Sequence, residues 1–353
     1  MTTVTAAGGP VQARATRPAG SSLRRAAVLV VALVLLVLAV ALSIAVGARG
    51  IPLADVWRHL WSPDGSSDAA IVQEVRLPRT LLGIAAGAAL GLSGALMQSM
   101  TRNPLAEPGL LGVNAGAAVA VVGGISLLGL TGPRHYVWLA LLGAGVATVL
   151  VYVVGSRGGR AASATPVRLT LAGAAISAVL MAGVWAMTFL DREALDLYRY
   201  WAVGSLSGRD LGVLGHVLPF LVVGTAVGLL LAAPLNAMAL GEDTGRALGL
   251  RPGVVRAVTG LVVTVLCGAA TAAVGPLVFV GLAVPHAVRG LTGPDDRWVL
   301  PLSTLAAPVL LLLADVLGRV VAAPAEIQVG VVTAFLGAPV LIALAGRRRV
   351  AAL

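Results

Sequence analysis

Long apolar segments alternate with short polar ones along nearly the whole chain. The first, 26–46, has no charged residue and is about 20 residues long, which is the length an α-helix needs to cross a bilayer. Nine largely apolar segments follow, at 76–100, 110–130, 136–154, 167–190, 211–233, 258–273, 277–288, 299–321 and 329–345. The pattern predicts an all-α polytopic membrane protein with about ten transmembrane helices.

The two ends of the chain carry basic clusters. Residues 1–23 are rich in Ala, Gly, Thr and Ser without apolar periodicity, which predicts a disordered tail. Arg24 and Arg25 precede the first apolar segment, and 347–349 are all arginine. Because basic residues accumulate on the cytoplasmic side, both termini are predicted to be cytoplasmic, with a helical domain at 24–349 and a short cytoplasmic end at 350–353.

A polar stretch at 234–256 separates the sixth and seventh apolar segments. Gly241 interrupts a short apolar run, and Glu242 and Asp243 then open a second run that Arg246 closes. Acidic residues in the first turn and a basic residue in the last turn complement a helix dipole. The stretch therefore predicts two short helices lying on the cytoplasmic face. An ordinary loop with scattered charges is the alternative.

Composition excludes several classes of protein. With 58% hydrophobic and 11% charged residues and a mean hydropathy of +0.95, the chain is too apolar for a soluble globule, in which about a quarter of the residues are charged. The net charge of +10 comes from arginines spread between apolar segments without interleaved aromatics, which argues against nucleic-acid binding. The single Cys267 and four distant histidines offer no metal-ligand spacing, so no metal or cofactor is expected.

The second and third apolar segments contain packing and helix-breaking residues. Gly83, Gly87 and Gly91 recur at a spacing of four, which brings small residues onto one helix face and favours close helix contact. Asn103, Pro104 and Pro108 then fall at the point where the chain should turn. A broken or re-entrant helix would explain them, since irregular backbone at membrane depth must be buried in protein. A plain tight turn is the alternative.

Charged residues also lie within apolar segments. Asp315 and Arg319 stand four residues apart, which predicts an ion pair on one helix face. Arg319 could instead join Arg76 and Arg79 in a basic rim on the external face, suited to an acidic partner. A third possibility is that all three arginines extend to the lipid headgroups.

No catalytic or nucleotide-binding fingerprint is present, so a transport function would need an ion gradient or a separate motor. Ion-coupled carriers place carboxylates at mid-membrane. The candidates here, Glu107, Asp315 and Glu326, are predicted near the ends of spans. The sequence therefore favours a separate motor over a secondary transporter, which remains the alternative.

Five motifs in order resemble the permease subunits of ABC importers for ferric siderophores, haem and cobalamin. They are RLPRTLLGIAAGAALGLSGALMQSMTRNPLAEPGLLGVNAGA, ALGEDTGRALGL, GPLVFVGLAVPHAVR, LLADVLGR and PAEIQVGVVTAFLGAP. The likeness runs from about residue 26 to 346. It implies a ten-helix subunit of the bacterial plasma (inner) membrane that pairs with a second permease subunit, two cytoplasmic ATPases and an external substrate-binding protein. Ferric siderophore is the expected cargo, with cobalamin or haem as alternatives.

The resemblance also implies roles for particular residues. Arg76, Arg79 and Arg319 match the family's external arginines that meet the binding protein. The family's coupling helices match 237–248, where the residues expected to contact the ATPase are Met238, Leu240, Gly241, Glu242, Asp243, Thr244, Arg246 and Leu248. The apolar ones would fill a groove on the ATPase and the charged ones would fix the register.

Overall fold

The computed structural model describes residues 20–130, 132–156 and 166–346. Within these ranges the protein is built from helices and connecting turns. The predicted C-terminal end at 350–353 and residues 1–19 of the predicted tail lie outside the described residues. Residues 20–23 are helical rather than part of the tail, because the first helix begins at Gly20, before the apolar segment at 26–46.

Fifteen α-helices follow one another in the described ranges. The first seven are α1 (Gly20–Ala45), α2 (Leu53–Trp61), α3 (Ser67–Ala70), α4 (Leu77–Thr101), α5 (Val113–Leu128), α6 (Pro133–Ser156) and α7 (Pro166–Leu190). The other eight are α8 (Arg192–Ala202), α9 (Leu211–Leu230), α10 (Ala232–Ala239), α11 (Glu242–Ala247), α12 (Pro252–Val274), α13 (Val280–Thr292), α14 (Asp296–Val321) and α15 (Val329–Gly346). A π-helical turn at Ile71–Arg76 joins α3 to α4, and a 3₁₀ turn at Pro108–Leu111 precedes α5.

Seven of the described helices are long and apolar enough to cross a bilayer. They are α1, α4 with the turns before it, α6, α7, α9, α12 and α14. Helices α5 and α15 are also apolar but shorter, and α13 has 13 residues. The chain is therefore an all-helical membrane protein, as the sequence predicts.

The long helices run between two faces of the molecule, which we call the α8 face and the α10–α11 face. At the α8 face, Ser126 near the end of α5 donates to Asp191 before α8 (2.7 Å). The Ser205 N–H donates there to Val274, the last residue of α12 (2.8 Å). At the other face, the Asp296 N–H at the start of α14 donates to Asn236 of α10 (2.9 Å). Arg25 of α1 lies 3.9 Å from Asp295, so α1 begins at the α10–α11 face.

Helix α4 lies in the centre of the bundle and contacts α14 through its glycines. A methyl group added at Gly87 would stand 2.6 Å from the Cα of Pro308, and one at Gly91 would stand 2.4 Å from the carbonyl oxygen of Ser303. Gly83 lies in the same way against Leu312. The three glycines thus set how closely α4 and α14 approach, because any side chain would separate the two backbones.

We expect Gly87→Ala to destabilise the fold by about 1–3 kcal/mol, since the added methyl group would overpack the contact with α14. Gly260→Ala on α12 is the matched control, because no atom lies within 4 Å of the added Cβ. At that open helical position, alanine should be neutral or stabilising by up to about 1 kcal/mol. Unfolding midpoints in a denaturing-detergent titration would compare the two. Equal effects at both positions would contradict the close contact.

Candidate functional site

The α10–α11 face carries two short helices: α10 begins at Ala232, two residues before the predicted stretch at 234–256, and α11 lies within that stretch. The chain turns at Gly241, whose φ of 117° is a conformation that side chains disfavour. Glu242 and Asp243 lie in the first turn of α11 and Arg246 lies in its last. Arg246 pairs with both acidic residues, at 3.3 Å from Glu242 and 2.8 Å from Asp243. Both ion pairs lie within α11, where exposed charges contribute little stability.

Two leucines of this segment face outward. Leu240 is 72% exposed and Leu248 is 63% exposed, and Thr244 is also exposed. Met238 is different: it is 5% exposed and packs inward beside Gly245. The prediction that Met238 fills a partner's groove stays a prediction, and in this structure the side chain packs in the chain's own core. Leu240 and Leu248, which follow α10 and α11, are therefore the large apolar side chains that this helix pair leaves exposed.

Polar contacts tie the helix pair to three long helices. Arg102, which follows α4, donates to the carbonyl oxygen of Met238. Asn236 donates to Asp295 (2.7 Å) and accepts from the Asp296 N–H (2.9 Å), which links α10 to the start of α14. Arg256 of α12 pairs with Glu242 of α11. Side-chain contacts therefore connect α10 and α11 to the ends of α4, α12 and α14.

The link to α14 continues into a second polar group between helices. Ser99 of α4 donates to Asp296 (2.7 Å), and Arg289 of α13 donates to Ser99 (2.6 Å) and lies 3.4 Å from Asp296. No pattern in the sequence singled out Asn236, Ser99 or the two aspartates. These polar residues lie at the ends of apolar segments, which is visible in the sequence. The sequence does not show that the ends of these particular segments lie next to one another in the fold.

The break after α4 contains the predicted helix-breaking residues. Arg102 ends the helix in a left-handed conformation, and the Asn103 side chain accepts from the Leu105 N–H (3.0 Å) just beyond it. Pro104 lies in this non-helical connection, and Pro108 is buried at the start of the 3₁₀ turn. A methyl group added at Gly173 of α7 would stand only 1.8 Å from the carbonyl oxygen of Leu110. The segment is therefore packed into the bundle.

At the α8 face, the three arginines predicted to form an exposed rim are buried. Arg76, Arg79 and Arg319 are 3%, 4% and 2% exposed. Arg76 donates to the carbonyl oxygens of Ile44 (3.0 Å) and Ala45 (2.6 Å) at the end of α1. The structure therefore shows no exposed rim at these arginines, because the guanidinium groups are directed into the protein rather than outward. Their role in docking a binding protein stays a prediction.

Asp315 holds the other two arginines. It lies 2.8 Å from Arg79 and 3.0 Å from Arg319, so the ion pair predicted from their spacing of four is present. Arg79 also pairs with Glu326 at 2.7 Å, and Arg319 donates to the carbonyl oxygen of Ser43 (3.0 Å). Cations that meet free carbonyl groups at a helix C-terminus are stabilised by the helix dipole. Asp315 and the two arginines therefore connect the C-terminal ends of α1 and α14 to the N-terminal end of α4.

A cavity of about 630 Å³ lies between α5, α7, α8 and α15. Apolar side chains such as Met181, Val331 and Phe335 make up most of its wall, and Asn114 and Ser177 add polar atoms. Asn114 accepts a hydrogen bond from Thr271 of α12 (3.0 Å). Such a largely apolar space with a few polar groups is typical of ligand passages and pockets.

Comparison with known proteins identifies relatives along almost the whole chain. The model of the FecCD transport family matches residues 35–347. The ferric enterobactin transport system permease protein FepD of Escherichia coli is 48% identical over 316 residues, which cover 90% of this chain and 94% of FepD. The Fe(3+)-citrate import permease YfmD of Bacillus subtilis is 38% identical over 91% of this chain and 94% of its own length.

A hemin permease and a solved structure are also similar to this chain. The hemin permease HmuU of Yersinia pestis is 35% identical over 89% of this chain and 95% of its own length. A metal-chelate-type ABC transporter solved in an inward-facing conformation has a TM-score of 0.79 at 26% identity, and the match covers 91% of this chain and 99% of that one. The fold and the order of helices are therefore those of this group.

Proposed function

Because the chain belongs to the FecCD transport family, we propose that it is the membrane-spanning permease of an ATP-driven importer whose cargo is a ferric siderophore. The relative at 48% identity is a ferric enterobactin permease, and another relative carries Fe(3+)-citrate. The proposed reaction is movement of the intact iron chelate across the membrane. In this proposal the chain contributes the pathway, and separate subunits hydrolyse ATP.

The α10–α11 pair is the observation that carries this proposal. It presents Leu240 and Leu248 outward while its internal contacts lead to α4, α12 and α14. Exposed leucines on a segment that also carries Glu242, Asp243 and Arg246 suit a small protein contact, in which a few residues supply most of the binding energy. If ATP hydrolysis moved a partner bound to this pair, these contacts would transmit the movement to α4, α12 and α14.

In the proposed assembly, each of the two faces binds a different partner. Two ATPase subunits bind at the α10–α11 face, which is cytoplasmic, and a substrate-binding protein docks at the α8 face, which is external. A second permease subunit, identical or homologous, completes the pathway. We propose ten spans, with α5, α13 and α15 added to the seven long helices, and both termini in the cytoplasm of a bacterial cell. The chain requires no cofactor of its own.

The test is transport by the assembled complex in proteoliposomes. We expect uptake of ferric enterobactin, ferric citrate or a ferric hydroxamate to require ATP and to occur only when the ATPase subunits are present. Uptake by the permease without those subunits, driven by a proton gradient, would contradict the proposal and support a secondary transporter. The chelate that most increases ATP hydrolysis would identify the cargo.

Orientation can be measured in cell membranes with one substitution. The Asp243 side chain is 98% exposed on α11, whereas the native Cys267 is buried, so Asp243→Cys offers one accessible thiol within the described residues. A membrane-impermeant thiol reagent should label it in inverted vesicles and leave it unlabelled in intact spheroplasts. Labelling in spheroplasts would place the α10–α11 face outside.

A further inference from the structure

A second cavity, of about 430 Å³, opens at the α8 face. Its wall is formed by α8, by the connection to α9, by the start of α6 and by Gln328 before α15. The polar side chains of this wall are Tyr136, Tyr200, Ser205, Ser207, Arg209 and Gln328, with Trp201 beside them. Hydroxyl, amide and guanidinium groups thus converge on one space, and none of the lining residues is a carboxylate.

The cation in this cavity has no anionic partner within the described ranges. Arg209 is partly buried, and its buried Nε has no hydrogen-bond partner there. Burial lowers the pKa of the Arg209 guanidinium, although the nearby Tyr136 opposes that shift. A desolvated cation without a carboxylate is costly for the fold, so a bound anion would stabilise it.

Trp201 supplies an independent sign of a missing acceptor. It is 3% exposed, and its Nε1–H has no hydrogen-bond partner in the described part of the chain. Buried Trp N–H groups usually find an acceptor. The same residue lines both this cavity and the apolar cavity of about 630 Å³ between α5, α7 and α15. The polar cavity therefore stands directly beside the larger apolar space.

We propose that the Arg209 cavity is an entry subsite that binds an anionic, oxygen-rich chelate and delivers it into the adjoining apolar cavity. This inference rests on the proposed function and adds the charge class of the cargo. Guanidinium, hydroxyl and amide groups suit the oxygens of a catecholate or carboxylate complex of Fe(III). The recessed position favours a small molecule over an acidic protein surface, for which the exposed Arg192 and Arg199 on α8 are more accessible.

The test is equilibrium binding of chelates to the full-length permease in nanodiscs, without ATPase subunits. The probes are an anionic ferric tris-catecholate and an electrically neutral ferric trihydroxamate. We expect Arg209→Gln to weaken tris-catecholate binding at least about tenfold, because a hydrogen bond to a charged group is lost. Trihydroxamate binding should be unchanged. Arg192→Gln removes the same charge from the same face outside the cavity and should leave both affinities unchanged.

A second variant tests the same cavity in case Arg209→Gln does not fold. Ser207 is exposed at the rim of the cavity, so Ser207→Asp should fold normally and place a carboxylate where the chelate's anionic oxygens would lie. It should weaken tris-catecholate binding by a similar factor.

Three results would overturn the subsite. They are unchanged tris-catecholate binding in both cavity variants, equal losses for both chelates, or loss only of docking by an acidic binding protein. Because binding is measured without ATP, a failure of this subsite leaves ATP-driven transport intact, and a failure of ATP-driven transport leaves the binding result standing.

Discussion

Replacing Leu240 and Leu248 together by arginine is expected to abolish ATP-driven uptake while leaving the permease folded in the membrane. Both side chains are mostly exposed, so the fold loses little packing. At the proposed ATPase contact, however, two charges would meet the apolar groove that we expect on the ATPase. Since most of the binding energy of such a contact is concentrated in a few residues, ATPase recovery on co-purification should fall at least about tenfold.

The matched control keeps the surface apolar. Leu240→Met with Leu248→Met should retain most of the uptake, because the flexible thioether fills similar space. Unfolding in detergent should be the same for wild type and both variants. Normal uptake and normal ATPase recovery with the two arginines in place would show that α10 and α11 form a passive loop.

Removing Asp315 should cause the largest loss of stability. The carboxylate is fully buried between Arg79 and Arg319, which are themselves buried. Asp315→Ala would leave two cations facing each other with Glu326 as the nearby anion. Breaking a buried pair by deleting one partner costs about 3–5 kcal/mol, because the remaining charge is uncompensated. Unfolding by a denaturing detergent, followed by circular dichroism, would measure the change.

An exposed ion pair on α8 provides the comparison. Asp196 lies 3.8 Å from Arg199, and both side chains are 71% exposed. Asp196→Ala should cost no more than about 1 kcal/mol, because water already solvates both charges. If Asp315→Ala were equally mild, the arginines at this end would be free to turn outward, and the exposed rim predicted from the sequence would regain support.

The helical elements were predictable because their signals are local. A helix in lipid satisfies its own backbone hydrogen bonds, so the position of each apolar segment along the chain predicts a helix directly. The break at Gly241 and the dipole-complementing charges around α11 were equally local. The glycines at 83, 87 and 91 predicted a contact face for the same reason, although the sequence did not name α14 as the partner.

The side-chain contacts of the candidate site were predictable only in part. The pair formed by Asp315 and Arg319 follows from a spacing of four on one helix. The link between Asn236 and Asp295 joins residues far apart in sequence, and so does the link between Arg102 and Met238. Neither has a local pattern, because each depends on which helix ends meet.

By itself, the sequence determined that this protein is a helical membrane protein with a polar helix pair on one face, because hydrophobic length, helix breaks and helix-end charges are all read along the chain. Tertiary structure alone decided which of those groups are available to a partner. It turned Met238 and the three arginines inward and left Leu240, Leu248 and the Arg209 cavity open. Burial depends on neighbours that come from distant segments, and an arginine beside a helix end is a surface group or a buried one according to what packs against it.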